Sequence, residues 1–171
     1  SHGGLRASDL GFTFFHLVGT DSQDASARFF GFVGTQGQDC TLQTDGSIRF
    51  EDLDLIQPIL RAVQDEGYSQ PTPVQAAAIP LVLDGKDLIA TAKTGTGKTA
   101  AFAIPMLQML HEGGSPRDAL RGLILTPTRE LALQIHESLR TYGRHLKLTH
   151  AVIVGGVSAG PQIQALRRRP D

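Results

Sequence analysis

The stretch Ala92-Lys93-Thr94-Gly95-Thr96-Gly97-Lys98-Thr99 constrains this chain more than any other. It follows a short apolar run, Asp87 to Thr91, that reads as a strand. It opens a run, Lys98 to Leu110, that reads as a helix. A glycine-rich turn between strand and helix, ending in Gly-Lys-Thr, is a phosphate-binding loop. Glycines at 95 and 97 let the backbone wrap closely around a phosphate and adopt positive φ. The loop amides and the positive end of the helix dipole then face the anion. Lys98 is placed to neutralise the β- and γ-phosphates, and Thr99 to set its hydroxyl on Mg²⁺. The first position is alanine where the general pattern has glycine. The loop predicts nucleotide binding and nothing narrower.

The rest of the chain fits an α/β fold. Leu55, Ile59, Leu60 and Val63 recur at helical spacing, and Gly67 ends that helix. Pro71 and Pro73 mark a turn before a second helix, Val74 to Leu83. Further on, Gly122 to Thr126 reads as a strand, Glu130 to Tyr142 as a helix, Leu148 to Val154 as a strand and Gln162 to Arg168 as a last helix. Strands separated by helices of this length predict βαβ units and a parallel sheet with flanking helices.

Residues 1–49 differ in composition. Six of the eight phenylalanines (Phe12, Phe14, Phe15, Phe29, Phe30, Phe32) fall here. Aromatics mixed with glycine and threonine favour strands, with Gly11 to Val18 and Arg28 to Val33 the best candidates. Thr44-Asp45-Gly46-Ser47 predicts a hairpin turn joining Cys40–Gln43 to Ile48–Phe50. Ser1-His2 is read as the scar of a cleaved purification tag.

Charge and cysteine content narrow the function classes. With 171 residues and a formal net charge of −1, the chain has one-domain length and lacks a global basic field. Nucleic-acid contacts must therefore come from local clusters and backbone amides. The basic run Arg167-Arg168-Arg169 reads as a solvated helix end. Cys40 is the single cysteine, which rules out an intrachain disulfide and a zinc cluster. Neither a signal peptide nor a membrane-length apolar run is found, so no membrane partner is expected and the default compartment is the cytoplasm.

With the phosphate loop placed, four further features resemble DEAD-box RNA helicases over residues 50–171. Gly67-Tyr68 followed by Pro71-Thr72-Pro73-Val74-Gln75 resembles the family's Q motif. Phe50 stands where the family has an isolated upstream aromatic. Pro127-Thr128-Arg129-Glu130-Leu131-Ala132 resembles motif Ia, and Gly155-Gly156 resembles the GG motif. The resemblance implies a RecA-like domain at 50–171 that binds ATP or ADP with Mg²⁺, and a preceding extension at 1–49 of unknown role.

The resemblance also implies roles for single residues. Gln75 would hydrogen-bond the adenine edge, since an amide donates and accepts at once. Phe50 would stack on the base, although a core aromatic would read the same way. Tyr68 is an equal candidate for ligand contact and core packing. Thr94, Gly95, Thr96, Gly97, Lys98 and Thr99 would hold the phosphates, with Thr99 on the metal. Pro127, Thr128, Arg129, Gly155 and Gly156 would meet the RNA backbone; Glu130 reads rather as a helix-capping residue, and the two glycines alone would equally fit a simple turn.

The family's later signatures, Thr-Pro-Gly-Arg, Asp-Glu-Ala-Asp and Ser-Ala-Thr, do not occur in this sequence. Residues 1–171 alone are therefore expected to bind nucleotide without appreciable hydrolysis. A sheet lacking those strands would leave edges open. The Phe-rich residues 10–50 are expected to cover them, within one chain or by exchange in a homodimer. A rival reading of Arg28-Phe29-Phe30-Gly31-Phe32-Val33 is the RNP1 signature of an RNA-recognition motif, but its second position is Phe rather than Gly, and the aromatic expected at its end is Thr35.

Overall fold

The computed structural model describes residues 15–19, 28–31, 38–40, 48–92, 95–113 and 120–171. Among the described residues, the strands are β1 (Phe15–Gly19), β2 (Arg28–Gly31), β3 (Gln38–Cys40) and β4 (Leu88–Ala92). The α-helices among the same residues are α1 (Gln57–Asp65), α2 (Pro73–Leu83), α3 (Lys98–Glu112), α4 (Arg129–Tyr142) and α5 (Ala159–Arg167). A 3-10 turn spans Phe50–Asp52.

The strands lie in the order β1-β4-β2-β3. β1 pairs parallel with β4, while β2 runs antiparallel to both β4 and β3. The sheet is therefore mixed, not wholly parallel. Both edges of β4 are taken by strands from the first 31 residues. Gly122–Thr126 and Leu148–Val154, expected as strands, carry no ladder among the described residues. With both sides of β4 occupied, neither segment has access to its edge. Asp171 ties the two segments together instead: its carbonyl accepts from the Arg121 and Gly122 amides, and its own N–H donates to the Thr149 carbonyl. The expected strand Ile48–Phe50 is also absent, because the chain enters the 3-10 turn at Phe50. The predicted turn at Thr44–Ser47, residues 41–43 of the strand expected at Cys40–Gln43, residues 11–14 of the one expected at Gly11–Val18, and residues 32 and 33 of the one expected at Arg28–Val33 lie outside the described residues.

The helices follow the periodicity closely. Pro73 starts α2 one residue earlier than read, since a proline at N1 has no donor to lose. Val74 to Ile79 are all buried, so α2 is covered on most of its faces rather than along one stripe, with Pro73 and Pro80 exposed. It packs on α3, which packs in turn on α4. One core cluster joins Phe50, Leu53, Leu55, Ile59, Leu60 and Val63 to Ile79, Ala100, Ile104 and Leu107. A second joins α2 and α3 to Leu88 and Ala90 of β4. Ile59, Ile79 and Ile104 are fully buried, each contributing about 1.5–3 kcal/mol relative to exposure. The outcome is that α3, the helix behind the phosphate loop, is the rod between α2 and α4, and it shares a core cluster with α1.

Candidate nucleotide and nucleic-acid site

The chain leaves β4 at Ala92 and re-enters regular structure at Lys98, the first residue of α3. Lys93 and Thr94 lie outside the described residues. Gly95 has φ +82° and Gly97, the N-cap of α3, has φ +85°. Both occupy the left-handed region that L side chains rarely adopt. An added Cβ at Gly95 would meet open space. Thr96, Lys98 and Thr99 are half-buried around the loop. Burial pushes the Lys98 ammonium below the ordinary lysine range. An anion beside it would restore what burial removes.

Gln75 sits on the neighbouring helix and is 7% exposed. Its Nε2 donates to the Gly97 carbonyl at 3.2 Å, and its Oε1 accepts from the Thr72 N–H at 3.0 Å. It thus caps α2 and grips the phosphate loop with one amide. A Cβ at Gly97 would lie 2.3 Å from Gln75 Nε2 and 3.4 Å from Thr72 Oγ1. The Thr72 hydroxyl is itself buried with no hydrogen-bond partner. Two glycines at positive φ, an orphaned hydroxyl beside the loop and a partly desolvated lysine fit a bound phosphate group. A magnesium ion, if carried in with the phosphates, would find Thr99 at the second position of α3, and no cluster of three acidic, His or Cys side chains occurs among the described residues.

The two candidate aromatics differ. Phe50 is 4% exposed and clusters with Leu53, Ile59 and Ile104, as a core aromatic does. Tyr68 is 53% exposed, just after Gly67, whose φ of +78° turns the chain out of α1.

The motif Ia and GG residues meet at a second place. Thr128 caps α4, its Oγ1 accepting from the Leu131 N–H at 3.2 Å. The capping role expected for Glu130 thus falls to Thr128, while Glu130 adds charge to the first turn. Pro127 and Arg129 are exposed. Gly155 and Gly156 are exposed too, and a Cβ on Gly156, at φ +75°, would come within 3.7 Å of an Arg129 guanidinium nitrogen. A helix N-terminus, a guanidinium and an open glycine turn therefore share one surface, which suits a phosphodiester backbone.

Sequence reasoning missed Gln162. Its Oε1 accepts from the Val154 N–H at 2.8 Å, and its Nε2 donates to the carbonyls of Val154 at 3.2 Å and Ser158 at 3.3 Å. It pins the glycine turn from α5. A polar residue facing back from the next helix was the available signal, and spacing alone does not reveal what it reaches. Among the described residues no helix is long and apolar enough to cross a membrane.

Comparison with known proteins bears on this arrangement. A family profile described as DEAD/DEAH box helicase matches residues 72–171. The chain is 52% identical over 122 residues to the probable ATP-dependent RNA helicase ddx27 of Dictyostelium discoideum, covering 71% of this chain and 16% of that protein. It is 44% identical over 129 residues to the probable ATP-dependent RNA helicase DDX27 of Homo sapiens, covering 75% and 17%. Among solved structures, the RNA helicase Prp28 from Chaetomium thermophilum bound to ADP matches with a TM-score of 0.66 at 42% identity, over 74% of this chain and 31% of that one. A DEAD box protein from Methanococcus jannaschii matches with a TM-score of 0.61 at 37% identity, over 69% and 32%. The chain spans about a sixth of the length of these curated relatives.

Proposed function

Because this chain belongs to the DEAD/DEAH box helicase family, we propose that it is the adenine-nucleotide-binding part of an ATP-dependent RNA helicase. The observation that carries the reading is the clasp of Gln75 on Gly97, which joins the Q motif to a phosphate loop at positive φ. In this reading Gly95, Thr96, Gly97, Lys98 and Thr99, with Thr94, hold the phosphates. The bound nucleotide supplies the phosphoanhydride whose hydrolysis drives the family's work. The chain's residues orient it: loop amides and the α3 dipole face the phosphate oxygens, and Lys98 offsets their charge.

On the base side, Gln75 and Tyr68 meet the adenine, and Phe50 anchors the turn before α1 in the core. Since both ends of the Gln75 amide are already engaged, base recognition and loop position are read through one side chain. Thr99 would hold Mg²⁺ through the nucleotide. Pro127, Thr128, Arg129, Gly155 and Gly156 contact the sugar–phosphate backbone of RNA without reading sequence. Residues 1–171 carry no Asp-Glu-Ala-Asp run, so hydrolysis by these residues alone is expected to be negligible. A RecA-like sheet with residues 10–50 covering β4 is part of the same reading, supported by the pairing of β1 and β2 with β4 and by the likeness to solved helicases.

Titration of a fluorescent ADP analogue onto the wild type and Lys98→Ala tests the reading. Saturable binding that is lost in the variant is the expected result. Equal binding by both, or none by either with the fold intact, would overturn it.

A further inference from the structure

Among the described residues, Gln108 and Gln75 are the two buried polar or charged side chains. Gln108 lies on α3, ten residues beyond Lys98, or about 15 Å along the helix from the phosphate loop. At 5% exposure a primary amide must find partners inside the protein or destabilise it. Its Oε1 accepts from the Ile56 N–H at 3.0 Å, and its Nε2 donates to the Asp54 carbonyl at 3.0 Å and approaches Glu112 Oε1 at 3.4 Å.

The bonds to Ile56 and Asp54 fall on the connection between the Phe50–Asp52 turn and α1. Ile56 is the N-cap of α1 and offers no side-chain cap of its own. Asp54 has φ +53°, a left-handed conformation that costs energy in a non-glycine residue and persists only when its surroundings hold it. The Gln108 amide is the group that holds it, gripping the carbonyl of Asp54 and the amide two residues on. Phe50, at the other end of the turn, packs in one cluster with Ala100, Ile104 and Leu107 of the same helix. α3 therefore carries the phosphate loop at its start and fastens the Phe50 turn and the start of α1 along its length. From there α1 leads on to Gly67, Tyr68 and the Gln75 helix.

We infer that Gln108 is a positioning residue for base selection: it locks the base-side wall of the nucleotide site, Phe50 to Tyr68, onto the helix that holds the phosphates. The inference rests on the nucleotide-binding reading above. It predicts a split that a merely structural role does not. Loosening the Phe50 turn should weaken contacts to the base and leave the phosphate loop, which is held separately by Gln75, unchanged.

The test is calorimetric titration of the full chain with ADP, GDP and pyrophosphate, comparing the wild type with Gln108→Leu. The expected result is about a tenfold loss of ADP affinity and a fall in the ADP:GDP preference toward one, with pyrophosphate affinity unchanged. Adding Asp54→Gly, which accepts φ +53° unaided, should restore part of the preference. An unchanged ADP:GDP ratio in folded Gln108→Leu, or a parallel loss for all three ligands, overturns the inference. If circular dichroism shows that Gln108→Leu does not fold, Gln108→Glu takes its place, because it keeps the acceptor for Ile56 and loses the donor to Asp54; the same outcomes then decide. Failure of the wild type itself to bind ADP would overturn the nucleotide reading and this inference with it. Retained base preference in the variant, with normal wild-type binding, overturns this inference alone.

Discussion

Gln75 and Gly97 stand 22 residues apart in sequence and share a hydrogen bond of 3.2 Å between a side-chain amide and a backbone carbonyl. The same amide accepts from the Thr72 N–H, so the start of α2 and the start of α3 are coupled through one buried side chain. Gly97→Ala would place a Cβ 2.3 Å from Gln75 Nε2 while forcing alanine to φ +85°. The expected cost is about 1–3 kcal/mol in stability, with loss of nucleotide binding. Gln75→Ala removes both bonds and should cost about 1–2 kcal/mol and at least roughly tenfold in ADP affinity, one decade being about 1.4 kcal/mol. Combining the two relieves the clash but not the backbone strain, so the double variant should be more stable than the sum of the single losses. Urea denaturation and ADP titration of all three variants check this.

The proximity of Arg129 to Gly156 gives a prediction for RNA. Replacing Arg129 with alanine removes one cation from the exposed start of α4 and leaves the Thr128 cap in place. Affinity for a single-stranded RNA should fall for every sequence alike, and the slope of log affinity against log salt should shrink by about 0.7. Fluorescence anisotropy on two unrelated oligonucleotides across a salt series measures both. A change confined to one sequence would point to base contacts instead.

His136 and His150 meet edge to face, ring centroids 4.6 Å apart. Burial, then His136, then Arg140 lower the His150 pKa below the ordinary value of 6.5. A histidine depressed in the folded state is neutral in both states at high pH and contributes no pH dependence there. As pH falls below 6.5, the unfolded chain takes up the proton first, so the native state loses stability until the folded pKa is passed. His150→Phe should therefore flatten the fall in stability on the acid side of neutrality. Denaturation midpoints at neutral pH and at mildly acid pH, for wild type and variant, give the comparison.

Asp65 shows the same sign at lower pH, for a different cause: here it is the charged form that the fold favours. Its carboxylate accepts from His145 at 2.7 Å, which lowers its pKa below 3.8; desolvation opposes this, and the charges of His145, Arg144 and Arg61 add to the lowering. Stability from this contact is present above the unfolded value and is lost as pH falls through the lower folded value. The destabilisation caused by Asp65→Asn should be seen at neutral pH and should vanish in strong acid. A variant whose deficit stays constant down to low pH would show that the contact is not ionic.

The helices could be read from the sequence because their determinants are local. Apolar residues at helical spacing, Gly67 as a stop and Pro73 as a start placed α1 and α2 to within a few residues. The phosphate loop was equally plain, because closely spaced glycines before Lys98 serve backbone geometry that few other residues permit. The strands were harder. Gly122–Thr126 and Leu148–Val154 have strand-like composition, yet a strand exists only where another edge receives it, and β1 and β2 hold the edges of β4.

The sequence by itself therefore determined the local chemistry: a loop for phosphate, an amide three residues into a helix, a capped Thr-Arg-Glu turn and a glycine pair. Tertiary structure decided what those groups do to one another. Only packing buries Gln108 against Asp54 and Ile56, turns Gln75 onto Gly97, and hides the Phe50 ring while leaving Tyr68 exposed. The physical reason is range. Backbone preferences and helical periodicity act over a few residues and are written in spacing, whereas a buried polar group is satisfied by whatever the fold brings within about 3 Å, and that partner has no fixed distance along the chain.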